Sequence, residues 1–157
     1  MAAVTATFEV VGARAAEARA AMSAYFAELD ELFPTGFDSG DALGGEAASF
    51  DPPGGRFVVV RDHGETIGCG GVQSIDAKTG EIKRMWIAPD RRGRGLAPQL
   101  LAFLEQLSRE IGHHTVRLDT NATLTTAITM YERAGYLAID RYNDNPYAQR
   151  WFEKRLT

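Results

Sequence analysis

The chain has 157 residues, of which 45% are hydrophobic and 24% are charged, a balance that predicts one globular domain over residues 1–157. Its formal net charge of −4 argues against a nucleic-acid partner, because such proteins need a broad basic surface to neutralise phosphates. The sequence shows no basic-then-apolar signal segment and no apolar run near the roughly 18 residues that span a membrane. We therefore expect a cytoplasmic protein without a membrane partner.

Cysteine and histidine usage limits the chemistry further. The single cysteine, Cys69, excludes an internal disulfide and fits a reducing compartment. Its Ile-Gly-Cys-Gly-Gly context offers no neighbouring base, which favours a small buried residue over the alternative, a nucleophile. His113 and His114 are adjacent and His63 lies in a predicted turn, so the histidines lack ligand spacing. We expect no metal.

The first third of the chain predicts a strand, a long helix and an irregular segment. The strand spans residues 5–11, and apolar residues at helical spacing predict a helix over 13–33 that Pro34 ends. Residues 35–55 are rich in glycine and proline, and we expect only a short helical turn at 46–50. We interpret this segment as a lid whose aspartates face a cationic ligand; solvated surface carboxylates are the alternative. Those aspartates are Asp38 and Asp41.

Three antiparallel strands joined by short turns follow at residues 56–61, 66–76 and 81–87. The middle strand contains Gly68, Gly70 and Gly71. Three glycines weaken a strand unless another backbone or a ligand comes close to it. The pattern therefore indicates a crowded position in the sheet.

Residues 81–111 combine a strand, a short turn and a helix, and the rest of the chain is organised around them. Gly93 and Gly95 allow the backbone of the turn to bend tightly and to approach a ligand. The helix that follows points its unpaired N–H groups and positive dipole end at the turn, which predicts an anion site. Three arginines add positive charge there: Arg91, Arg92 and Arg94. The turn matches neither common nucleotide loop, which argues against ATP and NAD.

The remaining elements are a helix that Gly112 closes, a strand at 115–120, a helix at 121–133, and strands at 136–142 and 150–156. Strand, helix and strand in succession imply a right-handed parallel crossover. The predicted fold class is α/β (α+β), with a mixed, mostly antiparallel sheet and helices on both faces.

The turn also carries a family resemblance. Arg92-Gly93-Arg94-Gly95-Leu96-Ala97 resembles the Arg/Gln-x-x-Gly-x-Gly/Ala signature with which the GNAT superfamily of N-acetyltransferases binds the pyrophosphate of acetyl-coenzyme A. Asn121 and the Tyr131-x-x-x-Gly135-Tyr136 stretch look like later elements of that family, and the likeness covers residues 56–157. It implies the GNAT fold, with six to seven strands and a central, splayed parallel pair.

The resemblance assigns a donor site along the strand at 81–87 and the turn. By that likeness, acetyl-coenzyme A would bind Met85, Trp86, Ile87, Arg92, Gly93, Arg94, Gly95, Leu96, Ala97 and Asn121. Asn121 has a second interpretation as a helix N-cap, and both roles are compatible. Pro98 removes one N–H group from the anion site.

Two residues resemble catalytic groups of the family. Glu81 matches the general base of histone-type members; the alternatives are a surface carboxylate, a partner for Lys83, or catalysis through water. Tyr131 matches the tyrosine that protonates the departing thiolate; the alternative is a core tyrosine with a satisfied hydroxyl.

The acceptor is the least explicit part of the sequence. We expect a primary amine of a small molecule or a protein, bound in an acidic, aromatic pocket; a solvated acidic surface is the alternative. The residues assigned to that pocket are Phe37, Asp38, Tyr142, Asp144 and Tyr147. Two other functions stay open: a non-catalytic acyl-coenzyme A sensor and a toxin-type acetyltransferase of aminoacyl-tRNA. We expect a monomer or a homodimer.

Overall fold

Seven strands and three α-helices are found in the computed structural model, which describes residues 6–156. The strands are β1 (Ala6–Val11), β2 (Arg56–Asp62), β3 (Glu65–Asp76), β4 (Thr79–Ile87), β5 (Thr115–Thr120), β6 (Leu137–Ile139) and β7 (Arg150–Arg155). The helices are α1 (Ala16–Leu32), α2 (Leu96–Ile111) and α3 (Thr125–Arg133), and 3₁₀ turns form at Gly45–Phe50 and Pro89–Arg91. The short helical turn expected at 46–50 is therefore present.

All the strands belong to one sheet, in the order β1-β2-β3-β4-β5-β7-β6. Strands β1 to β4 form antiparallel neighbours, β4 and β5 pair in parallel, and β7 runs antiparallel to both β5 and β6. The expected mixed, mostly antiparallel sheet with a central parallel pair is confirmed.

The parallel pair separates soon after it begins. Its register covers Thr79 opposite Thr115, Gly80 opposite Val116 and Glu81 opposite Arg117, and the pairing ends there although β4 continues to Ile87. The later half of β4 therefore has an edge without a strand beside it. Because open backbone edges can pair with an extended ligand, this separation determines where a ligand can bind.

Two hydrophobic clusters cover the two faces of the sheet. One contains the buried residues of α2 and α3 together with Val116, Leu118 and Phe152. The other packs α1 and the 3₁₀ turn at Gly45–Phe50 against β2 and β3. The helix α2 buries a continuous apolar stripe, as its three- and four-residue spacing predicts.

The glycines of β3 fit the crowding that the sequence predicts. A Cβ on Gly71 would lie 2.6 Å from the ring of Phe50, and one on Gly70 would lie 2.9 Å from Leu104. A Cβ on Gly68 would lie 2.6 Å from the carbonyl oxygen of Trp86. Both layers and β4 therefore press closely on β3, which leaves no room for larger residues.

Some predicted boundaries were wrong. The helix predicted at 121–133 begins at Thr125, because the Asn121 carbonyl oxygen accepts from the Leu124 N–H and its side chain accepts from Thr123 in a separate turn. The sixth strand ends at Ile139 instead of reaching residue 142. The first residue of the predicted strand at 5–11, Thr5, lies outside the described residues. None of the helices within residues 6–156 is both long and apolar enough to cross a bilayer.

His113 anchors the junction between α2 and β5. The imidazole is buried between two hydroxyls, with Nδ1 2.7 Å from Ser108 Oγ and Nε2 2.8 Å from Ser74 Oγ. A Cβ on Gly80 would come within 2.5 Å of the ring, so β4 also packs on it. Burial lowers the pKa of His113 below its ordinary value.

This burial predicts a pH-dependent stability. As the pH falls below about 6.5, the unfolded chain binds a proton that the folded chain excludes, so the free energy of unfolding decreases, by at most about 1.4 kcal/mol per pH unit. We expect His113→Gln to lower stability at pH 7.5 and to flatten its decline toward pH 5.5. Urea unfolding across that range measures both effects. The exposed neighbour provides the control: His114→Gln should keep the wild-type slope, and an equal flattening in both variants would contradict the assignment.

Candidate active site

A cavity of about 1550 Å³ runs along the open edge of β4. One end lies at the turn before α2, and the other lies between α1 and the segment at 37–49. Small-ligand pockets usually measure about 300–1,000 Å³. This cavity is therefore large enough for two reactants that meet beside β4.

The turn before α2 forms one end of the cavity with its backbone. Gly93 and Gly95 have φ angles of +80° and +78°, a left-handed conformation that favours glycine. Gly95 is the N-cap of α2, and the next residues, Leu96 and Ala97, line the cavity. The first N–H groups of a helix have no intrahelical acceptor, so this end of the cavity is suited to an anion.

The three arginines of the turn are positioned differently. Arg91 pairs with Asp62 at 3.1 Å and with Glu65 at 2.8 Å. Arg92 lines the cavity, donates to the Ile87 carbonyl oxygen at 2.8 Å, and contacts Glu28. Arg94 is exposed and does not line the cavity. The sequence does not distinguish these three environments.

Glu28 of α1 connects this helix to the turn and to β4. Its carboxylate accepts from Arg92 at 2.7 and 2.9 Å and from the Trp86 indole N–H at 3.0 Å. Burial raises the pKa of Glu28, but the hydrogen bonds from Arg92 and Trp86 outweigh this effect and lower it overall. The ion pair therefore partly neutralises the anion site.

The open edge of β4 carries the residues that were predicted to contact a ligand. Met85, Trp86 and Ile87 all line the cavity, directly before the turn. Because β5 has already separated from β4, no strand covers the β5-facing edge of these residues. The backbone groups on that edge face the cavity. The edge and the anion site are thus continuous.

Tyr131 lines the opposite wall of the cavity, on α3. Its ring packs against Tyr136 and Phe152, with centroids 5.9 and 6.3 Å apart, as a core tyrosine would. Burial, aided by the charge of Asp119, raises the pKa of Tyr131 to about 12. The raised pKa keeps the hydroxyl protonated at neutral pH, so it can donate to a group in the cavity.

Glu81 lies behind the cavity wall rather than on it. The Glu81 side chain is 8% exposed, and its carboxylate accepts from Gln73 at 2.8 Å and from the Tyr142 hydroxyl at 2.6 Å. The Asn143 amide and the Lys83 ammonium lie 3.3 and 3.9 Å from the same carboxylate. Of these neighbours, Gln73 and Lys83 line the cavity.

Asp119 is a site residue that the sequence reasoning missed. It lies near the carboxyl end of β5 and lines the cavity, where it accepts from Asn143 at 2.6 Å and from Asn145 at 3.1 Å. Its carboxylate also pairs with Lys83 at 3.5 Å. A carboxylate at the end of a parallel strand was an available signal, because ligands bind beyond those ends.

Asn121 lines the cavity, but both polar atoms of its side-chain amide already have hydrogen-bond partners in the protein. The Nδ2 group donates to the Tyr147 carbonyl oxygen at 2.7 Å, and Oδ1 accepts from the Thr123 N–H at 3.0 Å and hydroxyl at 2.7 Å. Its clearest role in this structure is to hold the loop after β5 against residue 147.

Aromatic rings form the other end of the cavity. Phe37 and Tyr147 lie 4.6 Å apart, and Phe26 and Phe33 lie 5.5 and 6.0 Å from Phe37. The Asp38 N–H donates to the Tyr147 hydroxyl at 2.8 Å, which joins the two segments.

The other residues assigned to an acidic pocket are dispersed. The Asp38 carboxylate accepts from the Gly40 N–H of its own turn at 2.8 Å. Tyr142 lies behind the cavity wall on Glu81, and Asp144 is exposed and does not line the cavity. The structure therefore brings Phe37, Asp38 and Tyr147 together at the cavity, whereas Tyr142 and Asp144 lie away from it.

Two expectations about reactive groups concern Cys69 and metals. Cys69 is buried, its Sγ lies 3.4 Å from the Arg84 carbonyl oxygen, and burial raises the pKa of its thiol to about 12, so it is unsuited to nucleophilic attack. Within residues 6–156, no three His, Cys, Asp or Glu side chains cluster closely enough to hold a metal.

The sequence profile of the Acetyltransferase (GNAT) family matches residues 19–136, which is well over half of the chain. The chain belongs to the GNAT acetyltransferase family. This GNAT protein is also 32% identical over 108 residues to an uncharacterised N-acetyltransferase of Schizosaccharomyces pombe. That alignment covers 68% of this chain and 66% of the yeast protein, just under two thirds of that relative's length.

Solved structures share the fold over nearly the whole chain. A candidate acyl-CoA N-acyltransferase of Klebsiella pneumoniae has 29% identity and a TM-score of 0.77, with 98% of this chain and 99% of that chain covered. A candidate acetyltransferase of Salmonella typhimurium, solved with its cofactor acetyl-CoA, has 15% identity and a TM-score of 0.72, covering 98% and 95%. The GNAT fold predicted from the sequence is therefore confirmed.

Proposed function

We propose that the protein transfers the acetyl group of acetyl-coenzyme A to a primary amine of a small molecule or a protein, by direct attack in a ternary complex. One observation carries the proposal: a single cavity joins the anion site at α2, the open edge of β4 and the Tyr131 hydroxyl. Family membership and the acetyl-CoA complex of the Salmonella protein support the same donor.

The residues of the cavity fit the donor's shape and charge. Leu96 and Ala97 would present helix-terminal N–H groups to a pyrophosphate, Gly93 and Gly95 let the turn approach it, and Arg92 adds a cation. The edge at Met85–Ile87 offers backbone groups to an extended amide-bearing arm. When bound, acetyl-coenzyme A supplies an acetyl thioester.

The protein's own groups can manage the protons of the transfer. An amine with a pKa near 10.4 costs about 4.6 kcal/mol to deprotonate at pH 7, so a route for its proton is needed. Glu81 is proposed as the base. Since it lies behind the cavity wall, it would accept the proton through a water rather than by direct contact. Tyr131 is proposed to donate to the leaving sulfur.

Release of free thiol from acetyl-coenzyme A, measured against a panel of amines and lysine peptides, tests the proposal and the role of Tyr131. We expect turnover with at least one amine, and a fall in kcat of about 10²–10⁴-fold in Tyr131→Phe with unchanged affinity for coenzyme A. Tyr136→Phe is the matched control, because that hydroxyl donates to Glu105 at 2.7 Å in the core. Tight cofactor binding with no turnover on any amine would instead indicate an acyl-coenzyme A sensor.

A second prediction concerns Glu81. Glu81→Gln should lower kcat/KM most at low pH, where most of the free amine is protonated and a base matters most. The pH–rate profile of the variant should therefore be steeper on its acidic side than that of the wild-type protein. A profile parallel to wild type would exclude Glu81 as the base. Because Gln retains the shape of the carboxylate, thermal melting of the variant separates a folding defect from a catalytic one.

A third prediction concerns the anion site. Arg92→Ala should weaken coenzyme A binding, with the largest effect at low ionic strength, because the lost attraction is screened by salt. Glu28→Gln should act in the opposite direction, since it removes the anion that competes for Arg92. Calorimetric titration at two salt concentrations measures both. Arg14→Ala, on the outer surface, should leave the affinity unchanged, and an unaltered affinity in Arg92→Ala would remove Arg92 from the site.

A further inference from the structure

Arg84 has an unusual backbone conformation within β4. Among the described residues, the non-glycine residues with positive φ are His63, at 50°, and Arg84, at 60°. His63 lies in the turn between β2 and β3, whereas Arg84 lies inside a strand, where the pairing of β3 with β4 shifts between Cys69 and Gly71. Backbone strain of this kind persists where the surrounding structure enforces it, and it concentrates at functional sites.

The strained backbone places a guanidinium group on the α1 side of the sheet, against the cavity. The Arg84 side chain is 12% exposed and its Cζ lies 4.7 Å from the centre of the Phe50 ring and 6.0 Å from that of Phe26. Burial lowers the pKa of Arg84 from its ordinary value, which reflects the cost of desolvating the charge. A buried cation of this kind is stabilised by an anion.

The carboxylate that pairs with Arg84 is largely exposed, so it balances the buried charge only in part. The ion-pair partner of Arg84 is Glu46, 3.4 Å away with a side chain that is 58% exposed. The other contacts are neutral: Nη1 donates to the Ala42 carbonyl oxygen at 3.2 Å and to the Met22 sulfur at 3.7 Å. The hydrogen bonds that Arg84 makes within residues 6–156 use Nη1 twice and Nη2 once, which leaves the Nε–H and one Nη2–H without an acceptor there. Since Arg84 lines the cavity, these donors are available to a ligand.

The neighbouring charges differ in sign. Lys83 precedes Arg84 and lies 3.5 Å from Asp119 and 3.9 Å from Glu81, so these three side chains together carry a formal charge of −1. Arg84 and Glu46 together are formally neutral, but their guanidinium retains open donors. A molecule with an ammonium and a carboxylate complements both regions. A simple amine complements only the first.

We propose that the acceptor is an aminocarboxylate, and that Arg84 binds its carboxylate while its amine lies toward the Glu81–Lys83–Asp119 cluster. This inference rests on the proposed acetyl transfer and names the substrate class. The rings of Phe26, Phe37 and Tyr147, near the same end of the cavity, suit an apolar or aromatic side chain on that molecule.

The aspartates of the lid segment do not offer an equivalent site for a simple cation. Asp38 accepts from the Gly40 N–H at 2.8 Å, and Asp41 accepts from the Gly45 N–H at 2.9 Å. Both carboxylates thus stabilise turns of their own segment. Arg84, by contrast, is a buried charged residue that lines the cavity.

Carboxylate binding can be measured without any turnover. The probes are benzoate, phenylacetate and 3-phenylpropionate, each beside its neutral amide, titrated into the complex of the protein with coenzyme A. We expect at least one carboxylate to bind saturably and at least tenfold more tightly than its amide. Equal affinities for all three pairs, or no saturable binding of any carboxylate, would overturn the inference.

Variants assign the binding to Arg84. Arg84→Gln should weaken the carboxylate at least tenfold and leave its amide unchanged, whereas Arg84→Lys should recover part of the affinity. Glu46→Gln should tighten carboxylate binding, because it removes the competing anion. Arg14→Gln is the matched surface control, on a side chain that is 56% exposed. If Arg84→Gln fails to fold, Glu46→Gln still decides: weaker carboxylate binding in it would contradict the proposal.

Turnover separates this inference from the proposed function. Amines with and without a carboxylate are compared at equal concentrations of the neutral amine. We expect wild-type kcat/KM to favour the aminocarboxylate at least tenfold, and Arg84→Gln to remove that preference. Transfer to both classes at equal rates would overturn the inference and keep the acetyltransferase. Carboxylate binding through Arg84 without transfer to any amine would overturn the proposed acetyl transfer and keep the carboxylate site.

Discussion

The early separation of β4 from β5 is the constraint on which the rest of the site depends. Glu81 and Arg117 form the last pair of the parallel register, and Tyr142 contacts both of them. Its hydroxyl donates to Glu81 at 2.6 Å, and the Arg117 guanidinium lies 5.4 Å from the centre of its ring. Tyr142 thus bridges the last pair of the parallel strands, at the fork where they separate. Beyond it, the edge of β4 stays open to the cavity.

Local patterns in the sequence predicted most of the fold, because apolar periodicity and glycine placement act over a few residues. The helix α2 and the antiparallel strands β2, β3 and β4 were found at nearly their true bounds. The turn at 92–97 was also found, since its chemistry lies in consecutive residues. Errors arose at Asn121, where a separate turn with Thr123 and Leu124 precedes the helix, and at residue 139, where the pairing with β7 ends.

The acceptor half could not be predicted to the same depth, because its residues are distant in sequence. Asp119 and Arg84 appear as ordinary polar positions in two strands until the fold brings Asn143, Lys83 and Glu46 to them. The burial of Glu81 has the same origin, since its partners come from β3 and from the loop before β7. The environment of a charged group depends on the tertiary structure. Predictions made from residue type alone therefore placed several carboxylates at the cavity that do not face it.

Asn143 makes the loop at 142–147 less tolerant of substitution than the segment at 37–49, which lies at the same end of the cavity. Its Nδ2 group donates to Asp119 at 2.6 Å and lies 3.3 Å from Glu81, while Oδ1 accepts from the Trp151 indole at 2.9 Å. Replacement of this one amide would remove a donor from two buried carboxylates and the acceptor of the Trp151 indole, which is costly. In the segment at 37–49, the Asp38 and Asp41 carboxylates accept from N–H groups of their own turns, and its contacts with Tyr147 and Arg84 use a backbone N–H, a backbone carbonyl and the exposed Glu46 carboxylate. Divergence toward new acceptors is therefore easiest there, while the loop at 142–147 stays tied to the fork between the strands.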